Sequence, residues 1–135
     1  MITNLIQFRI RYAETDQMSY AYHGNYAQYL EMGRIEWLRN IGISYKKMEE
    51  QGIMLPVINL NINYLKPAKY DDLLTLKTTL LQKPSAKINF GYEIYNEKNE
   101  LITTASTTLV FVNMKNSKPT RPPAYLLNKL DKIIF

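Results

Sequence analysis

The segment from Arg11 to Tyr26 holds the residues whose types and spacing could do chemistry. Asp16 supplies a carboxylate, and His23, the only histidine of the chain, follows seven residues later. A helical pattern starts directly afterwards, and a helix N-terminus presents unpaired amides and the positive end of a dipole. A carbonyl placed there is polarised, and an oxyanion developing on it is stabilised. The combination predicts a hydrolytic site, with an ordinary turn or cap role for Asp16 as the alternative.

Composition excludes several other catalytic classes. The chain has no cysteine and one histidine, which rules out thiol nucleophiles, thiolate metal sites and any cluster that needs two histidines within one chain. The five glycines are spaced so that neither a phosphate-binding glycine loop nor a GxSxG elbow can be written.

Length and charge are those of one ordinary domain. We expect a single domain over residues 1–135, with 46% hydrophobic and 21% charged residues and no apolar run long enough for a membrane span. No signal peptide is recognisable, so we expect a cytoplasmic protein. The net charge is +5, but the basic residues are scattered. This favours a mixed solvated surface over nucleic-acid binding, and it also suits an anionic ligand.

Periodicity predicts the elements that position the Asp16–His23 segment. Alternation of apolar and polar residues indicates a strand over about 4–12 that leads into it. Beyond Asn25, which is predicted to cap the helix with its side chain, apolar residues recur at helical steps until Gly42 ends the pattern. Gly33 lies on the apolar face, where a small residue lets the helix approach a sheet closely.

The remainder of the chain reads mainly as strands. A short helix capped by Ser44 comes first, and four strands at hairpin spacing and a terminal helix follow, over 58–64, 74–80, 88–94, 101–113 and 122–134. One long helix against a five-stranded antiparallel sheet is an α+β fold. Such a sheet leaves free edges and a partly uncovered face, so we expect a homo-oligomer.

Three stretches of sequence carry a resemblance to a known family. They are Y-A-E-T-D-Q-M-x4-H-G-N-Y over 12–26, Y-L-E-x-G-R-x-E over 29–36 and L-N-I-N-Y-L-K-P-A-x-Y-D over 60–71. Together they resemble the hotdog-fold acyl-CoA thioesterases, in particular the 4-hydroxybenzoyl-CoA thioesterase group and the Tol-Pal-associated bacterial thioesterases. The resemblance spans roughly residues 5–115.

The resemblance implies a fold, an assembly and a reaction. The fold is a hotdog domain, a five-stranded antiparallel sheet wrapped around one long helix. The assembly is a dimer that joins two sheets edge to edge and often pairs again into a tetramer. The reaction is hydrolysis of an acyl-CoA thioester to a free acid and coenzyme A, with no metal and no bound cofactor.

The resemblance also implies roles for individual residues. Asp16 matches the catalytic carboxylate, which either attacks the thioester carbonyl or activates a water. The backbone amide of His23 or Gly24 matches the group that polarises the carbonyl. The His23 side chain either binds the thioester or a water, or only shapes the loop. Tyr22 and Asn25 are candidates for lining the acyl site, with packing and capping as their alternatives.

One position departs from the family pattern. Many members have glycine where Ser19 stands, so either Ser19 adopts a positive φ at a small cost in strain or the loop differs slightly from the family's. Outside the motif, four basic residues are candidates for contacts to the coenzyme A phosphates or are simply solvated: Lys66, Lys69, Lys87 and Arg121.

Other functions compete with thioester hydrolysis. Glu31 and Glu36 are alternative carboxylates on the helix, or they form ion pairs with nearby arginines. A hydroxyacyl dehydratase of the same fold is less favoured, because its histidine lies in a proline-containing loop that this chain lacks. A non-catalytic module that binds acyl-CoA or an acyl carrier remains compatible with the sequence.

Overall fold

The computed structural model describes residues 2–133, which form an α+β fold built on one antiparallel sheet. The three helices are α1 (Tyr26–Asn40), α2 (Tyr45–Glu50) and α3 (Ala124–Asp131). The long strands are β1 (Ile2–Arg9), β3 (Val57–Tyr64), β4 (Leu73–Leu80), β5 (Lys87–Tyr95) and β6 (Leu101–Val110). The two-residue strands are β2 (Ile53–Met54), β7 (Val112–Asn113) and β8 (Lys118–Pro119).

The five long strands form the sheet that the sequence predicts. Their order is β1-β4-β5-β6-β3, with every neighbouring pair antiparallel. Residues alternate between buried and accessible along β4 and β5, as expected of strands that bury one face. The buried side chains meet those of α1 in one core, whose largest members include Trp37, Tyr29 and Phe90.

Helix α1 lies against the inner face of the sheet and leaves the outer strand β3 largely exposed. Its backbone approaches most closely to β1 and β4, and the Trp37 indole donates a hydrogen bond to the carbonyl of Ile2 at 3.1 Å. Gly33 is buried against β4, where a Cβ would lie 2.4 Å from Thr78 Oγ1 and 2.7 Å from Leu76 Cδ2. The structure therefore confirms the close approach of helix and sheet that was predicted from this glycine.

The outer strand β3 leaves its part of the inner face open. Strand β3 is the outer strand beside β6, and seven of its eight residues are exposed. Register places Leu60, Ile62 and Tyr64 opposite Thr107, Ala105 and Thr103, so these side chains project from the same face as the core. Leu60 is 43% exposed although it lies on that inner face.

Several predicted boundaries differ from the structure. The first strand ends at Arg9 rather than near residue 12, because Tyr12–Glu14 forms a 3-10 turn. The last long strand ends at Val110, and Val112–Asn113 pairs instead with β2 and β8 in a separate small sheet. The terminal helix spans Ala124–Asp131, within the predicted 122–134 (Ile134 lies outside the described residues).

The predicted capping role of Asn25 is wrong. A 3-10 turn, His23–Asn25, precedes α1, so Asn25 already has helical backbone angles (φ −79°, ψ −16°). Its side chain caps no helical amide. Instead its Nδ2 donates to the carbonyl of Glu14 at 2.9 Å. Ser44, by contrast, caps α2 as predicted, because its Oγ accepts from the amide of Lys47.

Replacing Gly33 with alanine tests the close packing of α1 on β4. We expect the Gly33→Ala variant to lose about 1 kcal/mol of unfolding free energy. Overpacking destabilises the fold by about 1–3 kcal/mol, and the higher helix propensity of alanine offsets about 1 kcal/mol of this. Chemical denaturation measures the change. In a Thr78→Ala background the nearest atom is removed while the contact with Leu76 Cδ2 remains, so the same substitution is expected to cost less. An equal loss in both backgrounds would show that Thr78 does not set the spacing.

Candidate active site

The segment between β1 and α1 folds as a tight hairpin of irregular backbone. The amide of Asp16 donates to the carbonyl of Tyr20, and the amide of Tyr22 donates to the carbonyl of Glu14, both at 2.8 Å. A further bond, from the Ala21 amide to the carbonyl of Ala68 at 2.8 Å, ties the hairpin to the segment after β3. These bonds fix where Asp16 lies relative to the start of α1.

The two carboxylate oxygens of Asp16 have different surroundings. Oδ1 accepts hydrogen bonds from the amides of Met18 at 2.9 Å and Tyr20 at 3.2 Å, which holds the turn together. Among residues 2–133, Oδ2 has no hydrogen-bond or ion-pair partner, and the side chain is partly exposed. One oxygen therefore anchors the carboxylate and leaves the other available for a substrate or a water.

Ser19 forms the tip of this turn in the conformation expected from its place in the motif. Its φ is +65°, in the left-handed region that glycine adopts most readily, and its amide donates to the carbonyl of Asp16 at 3.0 Å. The strain at Ser19 is thus part of the geometry that holds the carboxylate of Asp16.

The start of α1 presents free amides at the other end of the hairpin. Throughout the described range, no hydrogen bond uses the backbone N–H of His23 or Gly24. The carbonyl of His23 accepts from the amide of Tyr26 and also from the hydroxyl of Tyr64, at 2.9 Å. The two free N–H groups lie at the positive end of the α1 dipole, where they can stabilise negative charge on a carbonyl oxygen.

Asp16 and His23 line the same open groove. The other residues lining the groove include aromatic and apolar side chains and one cation: Met18, Tyr20, Ala21, Tyr26, Tyr64, Leu65, Lys66 and Pro67. On its other side Asp16 borders a second recess, where the rings of Tyr12 and Tyr70 meet edge to face at 5.6 Å beside Lys69. The structure thus brings the predicted carboxylate and the predicted histidine to one surface.

The imidazole of His23 is held between aromatic rings. Its centroid lies 4.5 Å from that of Tyr22 and 6.1 Å from that of Tyr64. Tyr22 is 47% exposed, and its ring also covers Gly24, where an added Cβ would lie 2.5 Å from Tyr22 Cε2. Tyr22 therefore packs on both candidate residues, whereas Asn25 holds the hairpin through Glu14 and does not line the groove.

The alternative carboxylates on α1 lie elsewhere. Glu36 forms an ion pair with Arg39, as expected if its role is structural rather than catalytic. Glu31 and Arg34 line a separate cavity with apolar residues of the core. Within residues 2–133, no group of three or more His, Asp or Glu side chains is arranged to hold a metal ion.

Sequence reasoning missed Tyr64 as a site residue. It was recognised only as a strand residue and as part of the third motif. The alternation of β3 assigns its ring to the inner face, but the hydrogen bond to His23 joins residues 41 positions apart. Such a pairing depends on the fold and leaves no local signal in the sequence.

The sheet wrapped on one long helix, with a carboxylate beside free helix-end amides, defines a thioester hydrolase with the hotdog fold. The family model of the Thioesterase superfamily matches residues 18–103. That match covers more than half of the chain, so the chain belongs to this superfamily.

Relatives and solved structures agree with this membership. The chain is 36% identical over 113 residues to YneP of Bacillus subtilis (strain 168), provisionally named an acyl-CoA thioesterase, with 84% of this chain and 82% of YneP covered. It is 32% identical over 127 residues to the acyl-CoA thioesterase YbgC of Haemophilus influenzae, covering 91% and 92% of the two chains. A DHNA-CoA thioesterase structure from Staphylococcus aureus superposes with a TM-score of 0.87 at 40% identity, covering 99% and 85%.

No helix between residues 2 and 133 is both long enough and apolar enough to span a bilayer.

Replacing Ser19 with glycine tests the strain at the turn that holds Asp16. We expect Ser19→Gly to raise the free energy of unfolding by about 0.5–1 kcal/mol. Glycine removes the strain of a left-handed L-residue, which costs about 1–2 kcal/mol, but it also raises the entropy of the unfolded chain, which cancels part of that gain. The matched control is Ser106→Gly in the interior of β6, where glycine is expected to cost about 0.5–1 kcal/mol. Thermal or urea unfolding compares them, and a loss in both variants would contradict strain at Ser19.

Proposed function

We propose that this thioester hydrolase acts on acyl-coenzyme A, with Asp16 as its catalytic carboxylate and the amides of His23 and Gly24 as the groups that bind the thioester oxygen. The observation that carries the proposal is the open groove lined by both Asp16 and His23, with Asp16 Oδ2 and the two N–H groups free of partners among residues 2–133. The substrate follows from the relatives, which are named acyl-CoA thioesterases.

Thioester hydrolysis requires attack of a nucleophile on the carbonyl carbon and departure of the coenzyme A thiolate. With the thioester oxygen at the free amides, a nucleophile adds to the carbonyl carbon and the negative charge moves to that oxygen. The tetrahedral intermediate then re-forms the carbonyl and expels the coenzyme A thiolate. In the general-base route Asp16 Oδ2 takes a proton from water as the water adds, and the proton passes to the departing sulfur.

In the nucleophilic route, Asp16 Oδ2 itself adds to the carbonyl carbon and forms a mixed anhydride as the thiolate leaves. Water then cleaves the anhydride and returns the aspartate. The free and partly exposed Oδ2 suits both routes. Label found in the Asp16 carboxylate after a single turnover in ¹⁸O-labelled water identifies the nucleophilic route, because water that cleaves the anhydride at the aspartyl carbon leaves label there, whereas direct attack of water on the thioester places it only in the product acid.

The remaining predicted residues receive supporting roles. The exposed imidazole of His23 borders the groove and is placed by Tyr22 and Tyr64 to hydrogen-bond the thioester or the attacking water. Tyr22 does not line the groove, and its role is to pack on Gly24 and His23. Asn25 acts through the carbonyl of Glu14, which also accepts from the amide of Tyr22, so its role is to hold the hairpin closed.

The basic surface suits coenzyme A, whose phosphates are anionic. Lys66 lines the groove beside His23, and Lys69 lines the adjoining recess next to Tyr12 and Tyr70. Lys66 also pairs with Glu100, and the pairing holds the pKa of that carboxyl below its usual value.

The substrate panel for testing the activity contains aliphatic acyl-CoA thioesters of several lengths and DHNA-CoA, the substrate in the name of the Staphylococcus aureus relative.

The functional unit is proposed to be a homodimer, with a further pairing into a tetramer as the resemblance implies. The proposed interface is the β3 edge, because seven of the eight residues of that strand are exposed, the apolar Val57, Ile58 and Leu60 among them. The other outer strand, β1, packs against α1 and alternates between partly buried and exposed residues. A second copy placed along β3 covers the open face and removes a free edge.

Removing the charge of Asp16 tests its catalytic role. We expect Asp16→Asn to reduce kcat for acyl-CoA hydrolysis by about 100-fold or more, because the amide cannot act as base or nucleophile. The hairpin should persist, since an asparagine oxygen can still accept from the amides of Met18 and Tyr20. A thiol-release assay over the substrate panel measures the rate.

The matched control is Asp72→Asn. The Asp72 carboxylate also accepts from a backbone amide, that of Lys69 at 2.8 Å, but it does not line the groove. Wild-type turnover in both variants would remove Asp16 from its role. Tight acyl-CoA binding with no turnover in the wild-type protein would favour the non-catalytic binding module.

Charging the open face of β3 tests the proposed interface. We expect Leu60→Glu to lower the molecular mass measured by light scattering from that of an oligomer to that of a folded monomer, because a carboxylate would be buried without a partner at the interface. Leu5→Glu is the control, since Leu5 is 61% exposed on the opposite outer strand. An unchanged mass for Leu60→Glu, with circular dichroism showing a folded chain, would exclude this edge.

A further inference from the structure

Tyr64 makes a hydrogen bond to the backbone at the start of α1, beside the candidate active site. It is the last residue of β3, and its phenol hydroxyl donates to the carbonyl of His23 at 2.9 Å. The ring meets those of Tyr26 at 5.0 Å and His23 at 6.1 Å edge to face, so its direction is set by two neighbours. The hydroxyl therefore reaches the first turn of the helix from outside it.

The carbonyl that Tyr64 binds belongs to the same peptide unit as the N–H of Gly24. A peptide unit is planar, and none of the described peptide bonds is cis, so this C=O and this N–H point in opposite directions. Fixing the oxygen of His23 therefore fixes the direction of the Gly24 N–H. Glycine has no Cβ and permits rotation of the adjoining peptide at low cost. The hydrogen bond from Tyr64 therefore restrains a peptide that could otherwise rotate.

The direction that results is the one the chemistry needs. The His23 carbonyl points into α1, where it also accepts from the amide of Tyr26, and the Gly24 N–H points out of the helix end. His23 and Tyr26, on either side of Gly24, both line the groove that Asp16 borders. A rotated peptide would withdraw this donor from the proposed position of the thioester oxygen and present a carbonyl there instead.

We propose that Tyr64 is a positioning residue that holds the His23–Gly24 peptide so that the Gly24 N–H binds the thioester oxygen. The inference rests on the proposed function, because it assigns a task to the donor that the mechanism uses. Tyr64 acts through the peptide unit and forms no bond to the reacting atoms.

The protonation state of Tyr64 suits this task. Partial burial raises the pKa of the phenol above its ordinary value of 10.0, so the hydroxyl keeps its proton at neutral pH and acts as a donor. The acceptor, a peptide carbonyl, does not titrate. The bond is therefore present throughout the pH range in which a thioesterase is assayed.

Tyr64→Phe tests the proposal because it removes only the hydroxyl and keeps the ring between Tyr26 and His23. One neutral hydrogen bond is lost, so we expect kcat to fall about 3- to 10-fold with KM within about twofold of the wild-type value. Tyr125→Phe on α3 is the matched control and should leave both constants unchanged. Equal kcat in wild type and Tyr64→Phe would overturn the proposal while leaving acyl-CoA hydrolysis by Asp16 intact.

The affinities for two non-hydrolysable ligands distinguish a positioning role of Tyr64 from a merely structural one. One is an acyl-CoA analogue in which CH₂ replaces sulfur, so that a ketone carbonyl remains; the other is the S-alkyl thioether of equal length, which has no carbonyl. We expect Tyr64→Phe to lower the binding affinity for the ketone analogue by about 3- to 10-fold and the affinity for the thioether by less than about twofold. Equal weakening of both ligands would reduce Tyr64 to a structural residue and overturn the proposal.

The binding comparison needs no turnover, so it separates failure of this inference from failure of the proposed function. A wild-type protein that hydrolyses no acyl-CoA contradicts the proposed function, and ketone and thioether affinities still decide the role of Tyr64. If Tyr64→Phe does not fold, 3-fluorotyrosine is placed at position 64 and assayed below its pKa. Its protonated hydroxyl is a stronger donor, so ketone affinity should rise while thioether affinity stays constant; no change in ketone affinity would overturn the proposal.

Discussion

The close contact between α1 and β4 at Gly33 is the constraint on which the rest of this structure depends. The helix can approach β4 only because no side chain stands at that position, where Thr78 and Leu76 fill the space a Cβ would need. The contact draws the helix over β1 and β4 and away from β3. The inner face is thereby buried along β4 and β5, whereas β3 keeps Leu60 and Tyr64 accessible. The open face and the groove that Tyr64 lines are both consequences of where the helix lies.

The placement of the helix also determines what its N-terminus can do. The short 3-10 turn before α1 leaves the amides of His23 and Gly24 without acceptors among residues 2–133. A side-chain cap from Asn25 would have satisfied an amide of the first turn, but that side chain is committed to the carbonyl of Glu14. The same bond that denies the helix a cap also closes the hairpin carrying Asp16. The free donors of His23 and Gly24 therefore come from the 3-10 turn, and the Asn25 bond holds the adjoining hairpin that carries Asp16.

Sequence alone predicts those parts of this arrangement that have a local signal. Alternation in β4 and β5 and helical spacing after Asn25 predict the sheet and the long helix, because each pattern reflects a single buried face. Gly33 predicts close packing because it has no side chain, whereas the positive φ of Ser19 is suggested only by the glycine that many family members have at that position. The motif places Asp16 and His23 seven residues apart, and the hairpin brings both to one groove.

The features that were missed have no local signal. The small sheet of β2, β7 and β8 consists of two-residue strands, too short for any period to be visible. Asn25 is a plausible cap by residue type, and only the position of the Glu14 carbonyl reveals its actual partner. Tyr64 meets His23 across 41 residues of chain. In each case the missing information is tertiary proximity, which a single sequence does not contain.

The position of Tyr64 connects assembly with chemistry. The residue that restrains the His23–Gly24 peptide ends the same strand that leaves its apolar inner face uncovered. An outer strand with one free edge is restrained from one side only, and its end is the part least restrained. A second copy paired along β3 supplies the missing restraint, which narrows the positions available to the Tyr64 hydroxyl. Association then stabilises the direction of the Gly24 N–H without contributing any atom to it, so the proposed dimer and the proposed site are linked through one hydrogen bond.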